Sequence, residues 1–300
     1  MKNEPNHGQW YRLDNAAMIY SAIQRSDYSA VYRFSAVMTK QVNPKILQRA
    51  VDKTMPRFPG FRVRIRQGFF WYYLEPDPRP GPVVQRDIRN PCQPVRFARG
   101  DELIRVFYYQ NRISVELFHA LADGTGALMF LKTLLAVYLR EQGEPIPYLQ
   151  DGPDVNTSPK AEEWEDAYPK YANSKVKSKL HHSRAYHQTG TEEPFYTLNV
   201  IMGLLPVDKL KQVCKGYQVS VTEYLAAALI QSLMASQKEE KPFREKPVSL
   251  AVPINLRGHF PSKTLRNFIL TVRPCIDPQL GEYTFEEILS QVHHFMRLHI

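Results

Sequence analysis

The stretch Ile113-Ser-Val-Glu-Leu-Phe-His119-Ala-Leu-Ala-Asp123-Gly124-Thr-Gly126-Ala-Leu-Met-Phe-Leu-Lys-Thr-Leu-Leu-Ala-Val-Tyr-Leu139 changes its hydrophobic period half-way. Up to Phe118, apolar residues alternate with other residues, which predicts a strand with one buried face. Beyond Gly126 the apolar residues recur at helical spacing, which predicts a helix of about four turns. His119 and Asp123 therefore lie at the junction of the two elements. Glycine is favoured there because a tight reversal or a close backbone approach suits it.

His119 is a candidate for acid–base chemistry. An imidazole at the end of a rigid strand titrates near neutrality and is fixed in place by packing. The residues alone leave a second reading open, in which His119 is a hydrogen-bonded structural residue and Asp123-Gly124 is an ordinary turn pair.

Two motifs carry a resemblance to a known superfamily. Phe118-His119-Ala-Leu-Ala-Asp123-Gly124 resembles the His-x-x-x-Asp-Gly signature of the chloramphenicol acetyltransferase-like superfamily, which includes condensation domains of nonribosomal peptide synthetases. Val252-Pro-Ile-Asn-Leu-Arg257, followed by Leu265-Arg-Asn-Phe268, resembles a second landmark of its microbial alcohol acetyltransferase-like branch. The chain is therefore most similar, at the level of motifs, to that branch.

The resemblance implies an α/β fold, an α+β sandwich built from two similar halves with the active site in a tunnel between them. Residues 1–145 correspond to the first half, and residues 195–300 to the start of the second. Between them, residues 146–194 mix prolines with charged residues and read as a linker or excursion. The last predicted helix shows no stop signal and members of the superfamily are usually longer, so we expect the second half to be truncated.

The resemblance also implies a reaction. His119 would be the general base that accepts a proton from an alcohol as its oxygen attacks the thioester of an acyl-CoA, most simply acetyl-CoA. Acyl-CoA is then a co-substrate, and no tightly bound cofactor or metal is expected. Asp123 and Gly124 would shape the loop that carries His119, with Arg257 pairing with Asp123 as a structural partner. From the residues alone, Arg257 could equally be a surface arginine at a strand end.

Two further function classes stay open. A condensation-type enzyme would take its acyl group from an acyl carrier protein and transfer it to an amine, and a non-catalytic member would keep the fold alone. Condensation domains carry two adjacent histidines at the motif, whereas Phe118 fills the first of those positions here. This departure favours the acyltransferase branches.

Composition limits the partners, the compartment and the kinds of site that the chain is expected to have. The 300 residues are 43% hydrophobic and 23% charged, with a net charge of +9. The basic excess is compatible with an anionic donor such as coenzyme A and equally with ordinary solubility. No RNA-binding or helix-turn-helix motif predicts a nucleic-acid partner. Neither a secretory signal nor a transmembrane run of about 20 apolar residues is evident, so the cytoplasm is the expected compartment. Three scattered cysteines predict neither disulfides nor a zinc site.

Periodicity and capping signals predict further elements. The predicted elements are a helix capped by Asp14, a strand over 30–38, a helix opened by Asn43-Pro44, a hairpin over 61–74 with arginines on a solvated face, a hairpin over 103–118, a strand over 196–205, helices opened by capping boxes at Ser220 and Thr284, and strands over 248–254 and 267–272.

Overall fold

The computed structural model describes residues 10–25, 28–147, 152–172, 184–191, 193, 197–240 and 244–299. Its chain divides into two compact units. The first contains residues 1–172, 193–198 and 257–268, and the second contains residues 173–192, 199–256 and 269–300. Part of the predicted linker and the start of the predicted strand at Tyr196 lie outside the described residues. The predicted boundaries at 145 and 195 stay a prediction, and each unit is described by itself.

The first unit contains two sheets and the helices that cover them. Its strands are β1 (Tyr11–Arg12), β2 (Val31–Val37), β3 (Val63–Gln67), β4 (Tyr72–Pro76), β5 (Gln85–Arg86), β6 (Ile104–Tyr109) and β7 (Arg112–Phe118). Its helices are α1 (Asn15–Ala22), α2 (Pro44–Thr54), α3 (Gly124–Glu141) and the short α4 (Tyr168–Tyr171). The larger sheet has the order β2-β7-β6-β5, and the smaller one has the order β1-β4-β3.

The hairpin predicted over 103–118 is present as β6 and β7, which pair antiparallel. On its other edge β7 pairs antiparallel with β2, so β7 lies inside the sheet. The helix α3 follows β7 directly and packs against α2, and Leu134, Phe130 and Ala127 are fully buried. This arrangement holds the β7–α3 junction between a central strand and a core helix.

The prediction that β7 buries one face is wrong. Ser114, Glu116 and Phe118 on its second face are as buried as the aliphatic residues on the first. Glu116 is tolerated there because Arg33 and Arg105 neutralise it at 2.7 and 2.9 Å. A charged residue in an alternating pattern indicates a solvent-exposed face only when no oppositely charged side chain pairs with it in the interior.

The second unit has its own core. Its strands are β8 (Val248–Ser249), β9 (Val252–Asn255), β10 (Ile269–Val272) and β11 (Cys275–Ile276), and its helices are α5 (Val207–Gly216), α6 (Val221–Glu239) and α7 (Phe285–His299). The strands form two antiparallel pairs, β9 with β10 and β8 with β11. Ile230 of α6 and Ile288 and Val292 of α7 are buried in this core.

Both predicted capping boxes are present in the second unit. Ser220 Oγ accepts from the Glu223 N–H while Glu223 Oε2 accepts from the Ser220 N–H at 2.6 Å, and Thr284 and Glu287 make the same reciprocal pair. The strand predicted over 196–205 is wrong for the described residues 197–205, which form no strand. The segment is rich in apolar residues, as a strand would be, but no neighbouring strand pairs with it in the described chain.

Within the described ranges, none of the helices alone combines the length and the apolar run that a membrane crossing requires. Only α5 and α6, which meet at a bend of 85°, reach that composition when they are counted together.

Candidate active site

His119 follows β7 and is held by backbone and ring contacts of the first unit. Its N–H donates to the Ala30 carbonyl at 2.8 Å, which continues the β2–β7 pairing by one residue. The imidazole stacks on the Tyr20 ring with centroids 3.9 Å apart, and the Tyr32 ring lies 4.7 Å away on a tilted plane. The ring is half-buried and its orientation is fixed by two aromatic neighbours.

Tyr32 also fixes the loop that follows His119. Its hydroxyl donates toward the carbonyls of Ala122 and Asp123 at 2.9 and 3.1 Å. Burial raises the pKa of Tyr32 well above its ordinary value, and the neighbouring charge of Asp123 adds to the effect. Tyr32 therefore stays protonated and acts as a hydrogen-bond donor.

Asn267 contacts the Nδ1 side of the imidazole. Its Oδ1 lies 3.3 Å from His119 Nδ1, while its Nδ2 donates to the His119 carbonyl at 3.0 Å and toward Asp14 Oδ2 at 3.4 Å. Because the amide oxygen can only accept, Nδ1 carries the proton in neutral His119. The opposite nitrogen, Nε2, is then the unprotonated one and is the basic atom of the ring.

Asp14 completes this hydrogen-bond chain. It is fully buried, caps α1 by accepting from the Ala17 N–H at 2.8 Å, and lies 3.4 Å from Arg266 Nη2. Burial raises the pKa of Asp14, and the charge of Arg266 opposes that effect. The carboxylate fixes which way the Asn267 amide points, because its oxygen accepts from Nδ2 and would repel Oδ1.

Burial also lowers the pKa of His119 below its ordinary value. The hydrogen bonds made by the His119 residue, including the one to Asn267, and the nearby charge of Asp123 act in the opposite direction. The net result favours the neutral imidazole at neutral pH, which is the form that can accept a proton.

Asp123 has all its acceptor capacity engaged by structural donors. Oδ1 accepts from the N–H groups of Thr125 and Gly126 as the N-cap of α3, at 3.0 and 3.3 Å. Oδ2 accepts from Arg257 Nη1 at 2.8 Å and from the Phe268 N–H at 2.9 Å. The structure thus brings Asp123 and Arg257 together, and both oxygens of Asp123 accept from donors other than the His119 imidazole.

Arg257 also makes hydrogen bonds to the backbone of its own segment, residues 257–268. Besides the ion pair, its Nε donates to the Thr264 carbonyl and its Nη2 to the Arg266 carbonyl, at 2.9 and 2.6 Å. The residues 257–268 belong to the first unit although they lie far from it in sequence. The reading of Arg257 as a surface arginine at a strand end is wrong, since its side chain is 11% exposed.

The two glycines that follow Asp123 have different surroundings. A Cβ on Gly126 would come within 2.1 Å of the Leu265 carbonyl oxygen, whereas a Cβ on Gly124 would meet the Phe34 ring at 3.6 Å, an ordinary contact. Only Gly126 is required by a close backbone approach.

Sequence reasoning missed Asn267, Asp14, Tyr20 and Tyr32 as partners of His119. Asn267 lies inside the second motif, which was the one available signal, and Asp14 was predicted only as a helix cap. The sequence named no oxyanion donor. Thr264, which lies close to the second motif in sequence, donates from its hydroxyl to the Glu165 carbonyl at 2.7 Å.

The fold is similar to that of known proteins, although the sequence is not. No family model and no curated protein matches the sequence. Solved structures do match. A structure of polyketide synthase associated protein 5 from Mycobacterium tuberculosis superposes with a TM-score of 0.64 and 14% identity, covering 96% of this chain and 72% of that one. The chain has the fold of condensation domains and chloramphenicol acetyltransferase-like proteins.

Two condensation domains give similar values. The first condensation domain of the calcium-dependent antibiotic synthetase, in complex with a substrate analogue, has a TM-score of 0.61 at 14% identity, with 97% of this chain and 75% of that chain covered. The starter condensation domain of rhizomide synthetase, in complex with C8-CoA, has a TM-score of 0.61 at 14% identity, with 96% and 71% covered. Identities this low establish the fold and leave the choice of reaction to the site.

Proposed function

We propose that this chain is an acyltransferase that moves an acyl group from an acyl-CoA thioester to an alcohol, with His119 Nε2 as the general base. The observation that carries the proposal is the neutral, oriented imidazole, whose Nδ1 faces Asn267 and whose pKa is lowered by burial. A positioned base contributes about 10²- to 10⁴-fold to such a reaction.

The proposed step balances without a covalent enzyme intermediate. The acceptor oxygen attacks the thioester carbonyl carbon while its proton passes to Nε2. The tetrahedral adduct then breaks its C–S bond, and the proton on Nε2 goes to the leaving thiolate, which regenerates the neutral base. Asp123 and Arg257 hold the loop that carries His119, and neither is assigned a proton in this step.

The donor is proposed from charge and from one comparison. A net charge of +9 suits the anionic coenzyme A moiety, and one chain of the same fold was solved in complex with C8-CoA. Acyl-CoA is therefore proposed as a co-substrate, and the alcohol acetyltransferase-like motifs support an alcohol acceptor.

A second candidate is condensation of a carrier-protein thioester with an amine. Two of the structural neighbours are condensation domains, which favours it. Against it, Phe118 at the first histidine position is fully buried and packs on Phe97 at 5.3 Å, so that position offers no second titratable group.

The deciding experiment measures thiol release and product mass with His119→Ala. The rate of transfer from acyl-CoA to a panel of alcohols should fall at least about a hundredfold. His187→Ala, which changes an exposed histidine, should leave the rate unchanged. Near-normal turnover by His119→Ala would contradict the assignment, and transfer only from a carrier-protein thioester to amines would select the second candidate.

A further inference from the structure

A hairpin tip in the first unit exposes three consecutive aromatic side chains. Residues 68–71 join β3 to β4 in a tight loop, closed by a hydrogen bond of 2.7 Å from the Gly68 N–H to the Trp71 carbonyl. Phe69, Phe70 and Trp71 are 95%, 94% and 60% exposed. Single exposed apolar residues are ordinary, but a cluster of large rings at one projecting tip indicates an interaction surface.

The sheet behind the tip is cationic. Arg64 and Arg66 lie on the outward side of β3 while Val63 and Ile65 are buried. Residues 10–12 and 61–79, which include all of this small sheet, contain five arginines and two carboxylates and so have a net charge of +3. The salt bridges that the carboxylates make with Arg64, Arg66 and Arg79 leave that excess in place.

More aromatic side chains lie on the same sheet. Trp10 is 54% exposed and meets the Tyr73 ring edge-on at 6.1 Å, and β1 places Arg12 opposite Tyr73. Aromatic rings beside arginines form the combination that is enriched where proteins meet the interfacial region of a membrane.

We infer that the 68–71 tip and the arginines behind it form a docking site for an anionic lipid surface. The three rings would enter the boundary between headgroups and acyl chains, about 5–10 Å deep, while the arginines stay among the anionic headgroups. A specific protein interface buries roughly 800 Å² per partner, and a four-residue tip is small beside that area. A fluid lipid surface needs no matching pocket, so the small tip favours a lipid surface over a protein partner. The docking site is independent of the proposed acyl transfer.

The test is sedimentation of the 300-residue protein with vesicles of phosphatidylcholine and phosphatidylserine. Wild type should bind. The triple variant Phe69→Ser, Phe70→Ser, Trp71→Ser should bind at least about tenfold more weakly. Its melting temperature should stay close to that of wild type, because the rings contribute little to the core. The control Ile201→Ser, Leu204→Ser removes two side chains that are 97% and 98% exposed in the second unit, and it should bind as wild type does.

Changes in protein charge, lipid charge and salt concentration give a second set of tests. Binding should weaken for Arg64→Gln, Arg66→Gln, for vesicles of phosphatidylcholine alone, and at 1 M salt, where screening shortens the Debye length to about 3 Å. Equal binding by the wild type and the triple variant, or no binding by wild type, would overturn the proposal. A dimer that dissociates in the triple variant, without vesicle binding, would also overturn it and assign the tip to protein contacts.

Discussion

Asn267 reaches His119 from a position 148 residues further along the chain, and it fixes which ring nitrogen carries the proton. Asn267→Ala should lower kcat/KM between about tenfold and a hundredfold, because the ring loses its fixed orientation. The lost hydrogen bond had opposed the lowering of the His119 pKa, so that pKa falls further. The acidic limb of the kcat/KM profile should therefore move to lower pH.

Asn90→Ala is the matched control for this pH profile. Asn90 is exposed, and its side chain donates to Thr197 Oγ1 at 3.3 Å rather than to His119. Its replacement should change neither the rate nor the limb. An unchanged profile in Asn267→Ala would show that the amide does not set the protonation of His119.

Asp123→Asn separates structural support from catalysis. Asparagine can still cap α3 through its oxygen, but Arg257 would lose its buried charge partner, which costs about 3–5 kcal/mol. Thermal unfolding should shift downward and activity should fall with it. Asp208→Asn, at an exposed position in the first turn of α5, removes only a helix-dipole contribution below about 1 kcal/mol and should leave activity unchanged. Lost activity at unchanged stability would argue instead for direct participation of Asp123 in the reaction.

At the residue scale, the sequence could predict three of the site residues that lie in motifs, but not Asn267. His119, Asp123 and Arg257 were identified through resemblance, and the structure brings the last two together. Asp14 and Tyr32 could not be found this way, since their contacts with the site depend on the packing of α1 and β2. No local pattern encodes which side chains will meet an imidazole in space.

At the scale of elements, the start of α3 contains a matched pair of glycines. Gly124→Ala should be neutral or stabilising, because alanine is favoured in a helix by about 1 kcal/mol and its Cβ meets only ordinary contacts. Gly126→Ala should destabilise by about 1–3 kcal/mol, because the Leu265 backbone would have to move. Denaturant unfolding of the two variants measures the difference, and equal effects would mean that the 257–268 segment does not pack there.

Elements with strong end signals were predictable. Both capping boxes and the β6–β7 hairpin were confirmed, since hydrophobic period and cap chemistry are local. The second face of β7 was not predictable because Glu116 is matched by Arg33 and Arg105 from other strands. The residues 197–205 have the apolar content of a strand, but a strand also requires a pairing partner, and composition does not supply one.

At the scale of the whole molecule, the first unit is completed by chain from late in the sequence. The residues 257–268 leave β9, contribute Arg257, Leu265 and Asn267 to the first unit, and return to β10. Leu265 is 6% exposed within the first unit's core, and its N–H donates to the Glu163 carbonyl at 2.7 Å. Hydrophobic periodicity describes each strand and helix but does not say which unit a connecting segment will join.

A shortened chain of residues 1–172 tests this dependence. In it Asp123 lacks Arg257 and the Phe268 N–H, so we expect a lower melting temperature and more exchange of α3 amide hydrogens than in the 300-residue chain. Asp123→Asn should cost about 3–5 kcal/mol in the 300-residue chain. In the shortened chain it should cost within about 0.5 kcal/mol of zero, because the partner is already absent and the two changes act on one interaction. An equal cost of Asp123→Asn in both chains would show that the stability supplied by the Asp123 charge does not depend on the 257–268 segment.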